Sequence, residues 1–293
     1  MDNLAGQDTP TTNAAPEGEI TLVGVIEAEI LAGNVDLPPL PKIALKVREL
    51  IDNDGEIQEI ASVIEQDPGY AAAILRYANS VAFAGLKQVG DLTSATQRLG
   101  LKAVEQTVLA LSAREAFASD DPAEERLLSE LWEHSLTTAM GARRLTIKGV
   151  SPEIAFLAGL LHDVGKVIVL RCAGDLRRQN PERFKFSEPV LREFLDELHC
   201  RIGDQFLESW NIPAEVRDAV RRHHDPEFGP DDLLPAIVSC ADLIAAKLGV
   251  SLNPNPDAHL LECPAAEILN LDDVKVANLL IDIEDDVENF KGE

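Results

Sequence analysis

The segment from residue 154 to 170 is apolar on nearly every side of a helix, and it constrains the fold more than any other part of the sequence. Its apolar residues are Ile154, Ala155, Phe156, Leu157, Ala158, Leu160, Leu161, Val164, Val167, Ile168, Val169 and Leu170. A helix with apolar side chains all around it must be buried on all sides. The sequence therefore predicts a helix over 152–171 that is surrounded by other elements of the fold.

Helical spacing of apolar residues continues through most of the chain, whereas the signals of strands are scarce. Aromatic residues make up only 4% of the sequence, and the two-residue turns typical of β-hairpins are lacking. The predicted fold class is therefore all-α. Further helices are expected at residues 69–79, 123–148, 187–210, 213–224, 231–248 and 274–290.

Proline, glycine and aspartate residues divide this helical chain into segments. The prolines of Leu37-Pro38-Pro39-Leu40-Pro41 exclude a helix interior, Asp67-Pro68 is typical of a helix start, and Gly100 separates two helices. Residues 1–16 contain almost no large apolar side chain, which is typical of disorder. The predicted organisation is a disordered tail at 1–16, an N-terminal helical subdomain at 17–118, a second helical subdomain at 122–250 and an acidic C-terminal helical extension at 251–293.

The net charge of the chain is -25 and is concentrated at its two ends. Residues 1–36 contribute -7 and residues 252–293 contribute -9. Such a field repels nucleic acid and anionic membranes, whereas acidic ends suit the basic surface of a protein partner. A secretory signal and a bilayer-spanning apolar run are both lacking. We therefore expect a cytoplasmic protein that binds neither nucleic acid nor membrane.

The four cysteines are widely spaced and form no Cys-x-x-Cys pair. They are Cys172, Cys200, Cys240 and Cys263. Their mostly apolar neighbours favour reduced, buried small side chains over ligands or disulfides. Cys200 is the exception to watch among them, because it directly follows His199.

Five of the six histidines lie between residues 134 and 224, and one of them interrupts the apolar segment. His162 and Asp163 need partners there, because an unpaired buried charge is unstable. A metal ion would satisfy them, and so would a plain hydrogen-bonded pair. Glu130 and His134, four residues apart, suit chelation and an ordinary surface pair equally. The other polar candidates are His199, His223, His224 and Asp242. Taken singly, each of them could simply be hydrogen-bonded within the protein.

Taken in order, these residues resemble the HD superfamily of metal-dependent phosphohydrolases. The order is His134, His162-Asp163 with Gly165-Lys166, His199, His223-His224 and Asp242. The N-terminal half is similar to the HDOD type of that superfamily in Leu37-Pro38-Pro39-Leu40-Pro41, Asp67-Pro68, Tyr77-Ala78-Asn79-Ser80 and Arg98-Leu99-Gly100. The resemblance covers about residues 35–250 and implies an HD-like helical bundle with an N-terminal helical subdomain.

The resemblance also implies a site for two divalent metal ions. His162 and Asp242 would bind one ion, and Asp163 would bridge it to a second. The second ion would be completed by His199, His223 and His224. His134 and Glu130 would complete the first site or bind a third ion.

These His and Asp ligands accept iron, manganese, nickel or zinc. Two such ions would lower the pKa of a bridging water and hold phosphoryl oxygens, which makes Asp163 and Lys166 the catalytic candidates. Lys166 would neutralise either the phosphate or Asp163, and the sequence favours neither.

Two functions follow from the resemblance. HDOD domains are mostly regarded as signalling modules, and many have lost their HD ligands, which this chain keeps. The ligand set is similar to that of the HD-GYP branch, which hydrolyses cyclic di-GMP, but residues 225–230 lack the tyrosine of the Gly-Tyr-Pro loop. We therefore favour a metal-binding signalling module with a protein partner, over the alternative of a phosphohydrolase that takes a phosphoester or nucleotide ligand.

Overall fold

The computed structural model describes residues 22–32, 41–80, 87–119, 121–185 and 187–291. Over these residues the chain forms thirteen α-helices, one 3-10 turn at Leu260–Glu262 and no β-strand, which confirms the all-α fold class. None of the described helices contains an apolar stretch that could cross a membrane. The predicted tail at 1–16 and the residues 37–40 of the proline segment lie outside the described residues.

Six helices form the N-terminal half of the described chain. They are α1 (Leu22–Leu31), α2 (Lys42–Asp52), α3 (Ile57–Ile64), α4 (Pro68–Ala78), α5 (Leu92–Leu99) and α6 (Leu101–Ala116). The Asp67 carboxylate accepts hydrogen bonds from the backbone N–H groups of Gly69 and Tyr70, at 2.8 and 3.4 Å, and so caps α4 as predicted. Gly100, whose φ of 81° favours glycine, separates α5 from α6.

Seven helices form the C-terminal half. They are α7 (Pro122–Arg144), α8 (Pro152–Leu161), α9 (Val164–Gln179), α10 (Glu188–Ser209), α11 (Ala214–Arg222), α12 (Leu233–Lys247) and α13 (Asp273–Lys291). Helix α7 packs against α8, α12 and α13, while α10 packs against α9 and α11. Because α1 packs against α9 and α10, and α6 against α8, one apolar core runs through both halves. The subdomain boundary at 118–122 stays a prediction.

The acidic extension ends in α13, which is attached to α7 by ion pairs and by a buried side chain. Arg144 donates to both carboxylate oxygens of Asp286 at 2.6 and 2.8 Å, and to Asp282 at 2.9 Å. Ile283 is buried and faces Gly141 of α7. A Cβ added to Gly141 would lie 3.3 Å from Cδ1 of Ile283. This part of the extension is therefore packed into the bundle.

The prediction of one helix over 152–171 is wrong, because the helix is interrupted at His162 and Asp163, between α8 and α9. Asp163 has φ -102° and ψ 9°, outside the helical region, and α9 begins after it. The break lets α8 pack on α7 and α9 pack on α10. Apolar spacing continues across it because both helices are buried on nearly all sides. The predicted burial of the segment is thus confirmed, while its continuity is not.

Glycines let α8 and α9 approach their neighbouring helices closely. A Cβ added to Gly159 would lie 2.8 Å from the Cα of Ala139 in α7. A Cβ added to Gly165 would collide with the carbonyl oxygen of His199 and lie 2.7 Å from its carbonyl carbon. The backbones of α9 and α10 therefore meet at Gly165.

We expect Gly165→Ala to lower the free energy of unfolding by about 3 kcal/mol, because backbone, which cannot rotate away, occupies the space of the new methyl group. Gly90→Ala is the matched control, since nothing lies within 4 Å of the added Cβ, and it should change stability by less than about 0.5 kcal/mol. Urea unfolding measures both. Equal stability of the two variants would contradict the close contact of α9 with α10.

Candidate metal centre

Seven of the eight predicted ligands come together where five helix segments meet. His134 lies within α7, His162 and Asp163 lie at the break between α8 and α9, and His199 lies within α10. The remaining three are His223 and His224, which follow the last turn of α11, and Asp242 of α12. Within the described residues, these side chains form groups whose ligand atoms lie within 4.8 Å of one another.

The first group contains His134, His162 and Asp242. The two Nε2 atoms are 3.1 Å apart, and Asp242 Oδ1 lies 3.1 Å from Nε2 of His134 and 3.8 Å from Nε2 of His162. Asp163 Oδ2 lies 3.4 Å from both imidazole nitrogens. These separations are those of donors that share one ion.

The second group contains His199, His223 and His224 and faces the other oxygen of Asp163. The Nε2 atoms of His199 and His223 are 3.4 Å apart, and they lie 3.4 and 4.0 Å from Asp163 Oδ1. The His224 ring is exposed and its centroid lies 4.0 Å from that of His223. Asp163 therefore lies between the groups, with one oxygen toward each.

Backbone carbonyl groups fix the orientation of the four buried imidazoles. The Nδ1 atoms of His134, His162 and His223 donate to the carbonyls of Val250, Gly159 and Val220 at 2.8, 2.7 and 2.8 Å. His199 Nδ1 donates to the carbonyl of Leu195 at 2.9 Å. A carbonyl only accepts, so each Nδ1 carries a proton, and each Nε2 faces the centre. This is the orientation that metal-ligating histidines adopt.

The carboxylate of Asp163 is the least satisfied group of the site. The residue is 1% exposed, and its Oδ1 has no hydrogen-bond partner. Its Oδ2 accepts a hydrogen bond from Lys166 Nζ at 2.9 Å. A buried carboxylate oxygen without a partner is costly unless a cation or a donor completes it. The donor set and this orphaned atom together fit a divalent ion.

Burial and neighbouring charges shift the pKa values of the groups in the site. Burial raises the pKa of Asp163, but the nearby His162 and Lys166 outweigh it and hold this pKa well below its usual range. Burial lowers the pKa of His134, yet its hydrogen bonds to Asp163 and Asp242 raise it to about 10. Burial lowers the pKa of His199 to about 4 and that of His223 well below its usual value. Neutral His199 and His223 are the form that binds a metal.

Lys166 pairs with Asp163 rather than projecting into solvent. Its ammonium lies 2.9 Å from Asp163 Oδ2 and 3.7 Å from the carboxylate of Asp196. Burial lowers the pKa of Lys166, but the carboxylate of Asp163 outweighs this and raises it, which keeps the side chain charged. Of the two roles predicted for Lys166, the geometry favours neutralising Asp163.

Glu130 is the predicted ligand that the structure does not bring into the groups. Its carboxylate pairs with Arg126 at 3.0 Å and lies 3.9 Å from Arg192, with 41% of the side chain exposed. The i, i+4 spacing to His134 places Glu130 on the same helix face but one turn nearer the surface. Spacing alone did not reveal that two arginines face it there.

Cys200 belongs to the second group, although sequence reasoning favoured a small apolar role for it. Its Sγ lies 3.3 Å from His199 Nε2 and 4.0 Å from His223 Nδ1. Burial and then the charge of Asp163 raise the pKa of its thiol to about 12, so it is not a free nucleophile. The one signal in the sequence was that Cys200 follows His199.

The loop after the histidine pair is held by Arg222 of α11. Its guanidinium donates to Asp225 at 2.8 Å and to the two oxygens of Asp232 at 2.7 and 2.9 Å. Asp232 also accepts from the backbone N–H of Gly229 at 2.8 Å. These contacts fasten the 225–232 loop to α11.

Comparison with known proteins identifies the family. The model of the HDOD domain matches residues 37–226, about two thirds of the chain. The chain belongs to the HDOD family. The HDOD match ends before Asp242, so the place of that residue beside His134 rests on the geometry.

One relative of this HDOD chain shares about a quarter of its residues over the matched region. An uncharacterised protein of Treponema pallidum is 27% identical over 215 residues, which cover 70% of this chain and 41% of that protein. The chain therefore spans less than half the length of this relative.

Two solved structures show the same fold. A Shewanella amazonensis protein provisionally described as a metal-dependent phosphohydrolase has a TM-score of 0.74 at 23% identity, covering 91% of this chain and 98% of its own. A Marinobacter aquaeolei protein provisionally described as a signal transduction protein has a TM-score of 0.62 at 22% identity, covering 89% and 60%. At these identities the likeness concerns the HDOD fold alone.

We expect Lys166→Met to lower the free energy of unfolding of the metal-free protein by about 3–5 kcal/mol, because it leaves the buried Asp163 carboxylate without its cation. Lys185→Met should have no measurable effect, since that ammonium pairs with Glu182 at the surface. Adding Asp163→Asn to Lys166→Met should restore part of the loss. Urea unfolding checks all three, and equal stability of the two lysine variants would refute the pairing.

We expect the stability of the metal-free protein to fall with acidification because His199 is buried and neutral. Burial lowers the pKa of His199 from 6.5 to about 4. The contribution of neutral His199 to the free energy of unfolding is therefore complete above pH 6.5 and is lost as the pH falls through about 4. His199→Gln should reduce this loss by up to about 3 kcal/mol. His259→Gln, at an exposed position, should follow the wild type in urea unfolding between pH 7 and 4. Parallel curves for all three proteins would contradict the expectation.

Proposed function

We propose that this chain is an HDOD signalling module whose HD site holds divalent metal and uses it to maintain the shape of the bundle. The observation that carries the proposal is the buried, unpartnered Oδ1 of Asp163, with the imidazoles of His199 and His223 beside it. A metal ion would give this oxygen the partner that it lacks. An ion would also lie between each pair of Nε2 atoms that face one another, at 3.1 Å in the first group and 3.4 Å in the second.

Two ions fit the donor set better than one. One would take His134, His162 and Asp242, and the other would take the second group of histidines, with Asp163 between them. Imidazole with carboxylate suits iron, manganese, nickel and zinc. Because these ligands come from α7, the α8–α9 break, α10, the end of α11 and α12, bound metal would hold these segments together.

The surroundings of the site favour a signalling role over hydrolysis. A phosphohydrolase needs cationic groups that reach the phosphate, but Lys166 is paired with Asp163, and Arg222 is paired with Asp225 and Asp232. The net charge of -25 also repels anionic substrates.

A protein partner is the second part of the proposal. The acidic ends of the chain, with -7 and -9 of its charge, would match a basic protein surface, and α13 presents such an acidic helix on the bundle. The proposed setting is the cytoplasm, where signalling modules meet their partners. The HDOD family and the fold shared with the Marinobacter protein support this reading.

A phosphohydrolase is the second candidate, and the completeness of the donor set favours it. Bound metal would supply an activated water and a counter-charge for phosphoryl oxygens. On this chain Asp163 would hold both ions in place, and Lys166 would have to turn from Asp163 toward the phosphate.

We expect the protein purified without added metal to contain close to stoichiometric transition metal by elemental analysis. We also expect that it will not hydrolyse bis(p-nitrophenyl) phosphate faster than the His162→Ala/Asp163→Ala variant, since Lys166 and Arg222 are paired with carboxylates. That variant should lose the metal, whereas His259→Ala, outside the site, should keep it.

Two results would contradict this expectation in different ways. Metal-free wild type, still metal-free after incubation with zinc or manganese, would refute the metal site. Hydrolysis that the wild type and His259→Ala share and the double variant lacks would replace the signalling role with the phosphohydrolase.

A further inference from the structure

The second metal group contains a fourth side chain that the HD resemblance does not include. Cys200 follows His199 on α10, and its Sγ forms one group with ligand atoms of His199, His223 and His224, all within 4.8 Å of one another. The buried Asp163 Oδ1, which has no hydrogen-bond partner, faces the same group. Two independent features therefore point to a cation at this position.

Two of the donor separations match those of a tetrahedral zinc site. With Zn–N of about 2.0–2.1 Å and Zn–S of about 2.3 Å, two nitrogens lie about 3.3 Å apart, and a nitrogen and a sulfur lie about 3.5 Å apart. The Nε2 atoms of His199 and His223 are 3.4 Å apart. Cys200 Sγ is 3.3 Å from His199 Nε2. The chain thus holds these donors at nearly the required spacing.

We propose that Cys200 is a thiolate ligand of the second metal ion, which it binds together with His199, His223 and His224. On binding, the thiol S–H bond breaks, its proton leaves to solvent and the sulfur lone pair goes to the metal. The proposal rests on the metal-holding function proposed above and specifies how the second ion is held.

Three histidines and one cysteine form a closed set of four ligands, and Asp163 Oδ1, 3.4 Å from His199 Nε2, lies beside this set as a counter-charge for the ion. Structural zinc sites have four protein ligands, whereas catalytic sites keep one position open for water or substrate. Cys200 is only partly buried and His224 is exposed, so these two side chains lie on the solvent side of the group. Their coordination fills the position through which water would reach the ion. A thiolate also selects zinc or iron over manganese.

Cobalt substitution tests the proposal without any activity measurement. Tetrahedral Co²⁺ with a thiolate ligand has a sulfur-to-cobalt charge-transfer band in the near ultraviolet. We expect this band in the cobalt-loaded wild type and its loss in Cys200→Ser, with the cobalt content measured in parallel. Cys172→Ser and Cys263→Ser, which alter thiols outside the group, should both keep the band.

X-ray absorption of the zinc-loaded wild type gives a second measurement that needs no variant. We expect one sulfur scatterer at about 2.3 Å from a share of the zinc. Cobalt or zinc bound without a sulfur ligand would overturn the role of Cys200 and leave the metal-holding function standing. A charge-transfer band that persists in Cys200→Ser would also overturn it, since another thiol would be the ligand. A wild type that binds neither metal would overturn both proposals.

Discussion

The buried carboxylate of Asp163 is the group on which the arrangement of the bundle centre depends. It is 1% exposed, receives Lys166 on one oxygen and leaves the other without a donor. Such a group is stable only where positive charge surrounds it. The break between α8 and α9 places it there, and Gly165 lets α10 approach closely enough to bring His199 to its free oxygen.

The need of the buried Asp163 carboxylate for positive charge links metal binding to the proposed regulatory role. The ligands come from five different segments of the bundle, so an ion at Asp163 would add a directional connection at their common centre. Backbone carbonyls already orient the four buried imidazoles toward the centre. A site oriented in this way, with Lys166 and Arg222 committed to carboxylates, is better suited to holding a shape than to receiving a phosphate. Cys200, if it is a ligand, closes the position that hydrolysis would use.

Particular residues show how far prediction from sequence reached. Asp67 and Gly100 mark helix boundaries through local backbone chemistry, and both predictions are confirmed. The break at His162 was missed because apolar spacing continues across it, and only the different partners of α8 and α9 reveal it. Helical spacing predicts that Glu130 lies with His134, yet Arg126 and Arg192 hold its carboxylate at the surface. Cys200 was assigned an apolar role, because the distance from its sulfur to the His223 ring depends on how α10 meets α11.

Three properties could be predicted from the amino-acid sequence: the all-α class, the burial of the central apolar segment and the residue types available to a metal site. These properties follow from periodicity and from the chemistry of each side chain, which a linear chain carries without folding. The tertiary structure alone decided which ligand atoms meet, which oxygen of Asp163 stays without a partner, and that Lys166 neutralises this carboxylate. Those are relations between residues far apart in the chain, and the packing of α7 to α12 sets their distances.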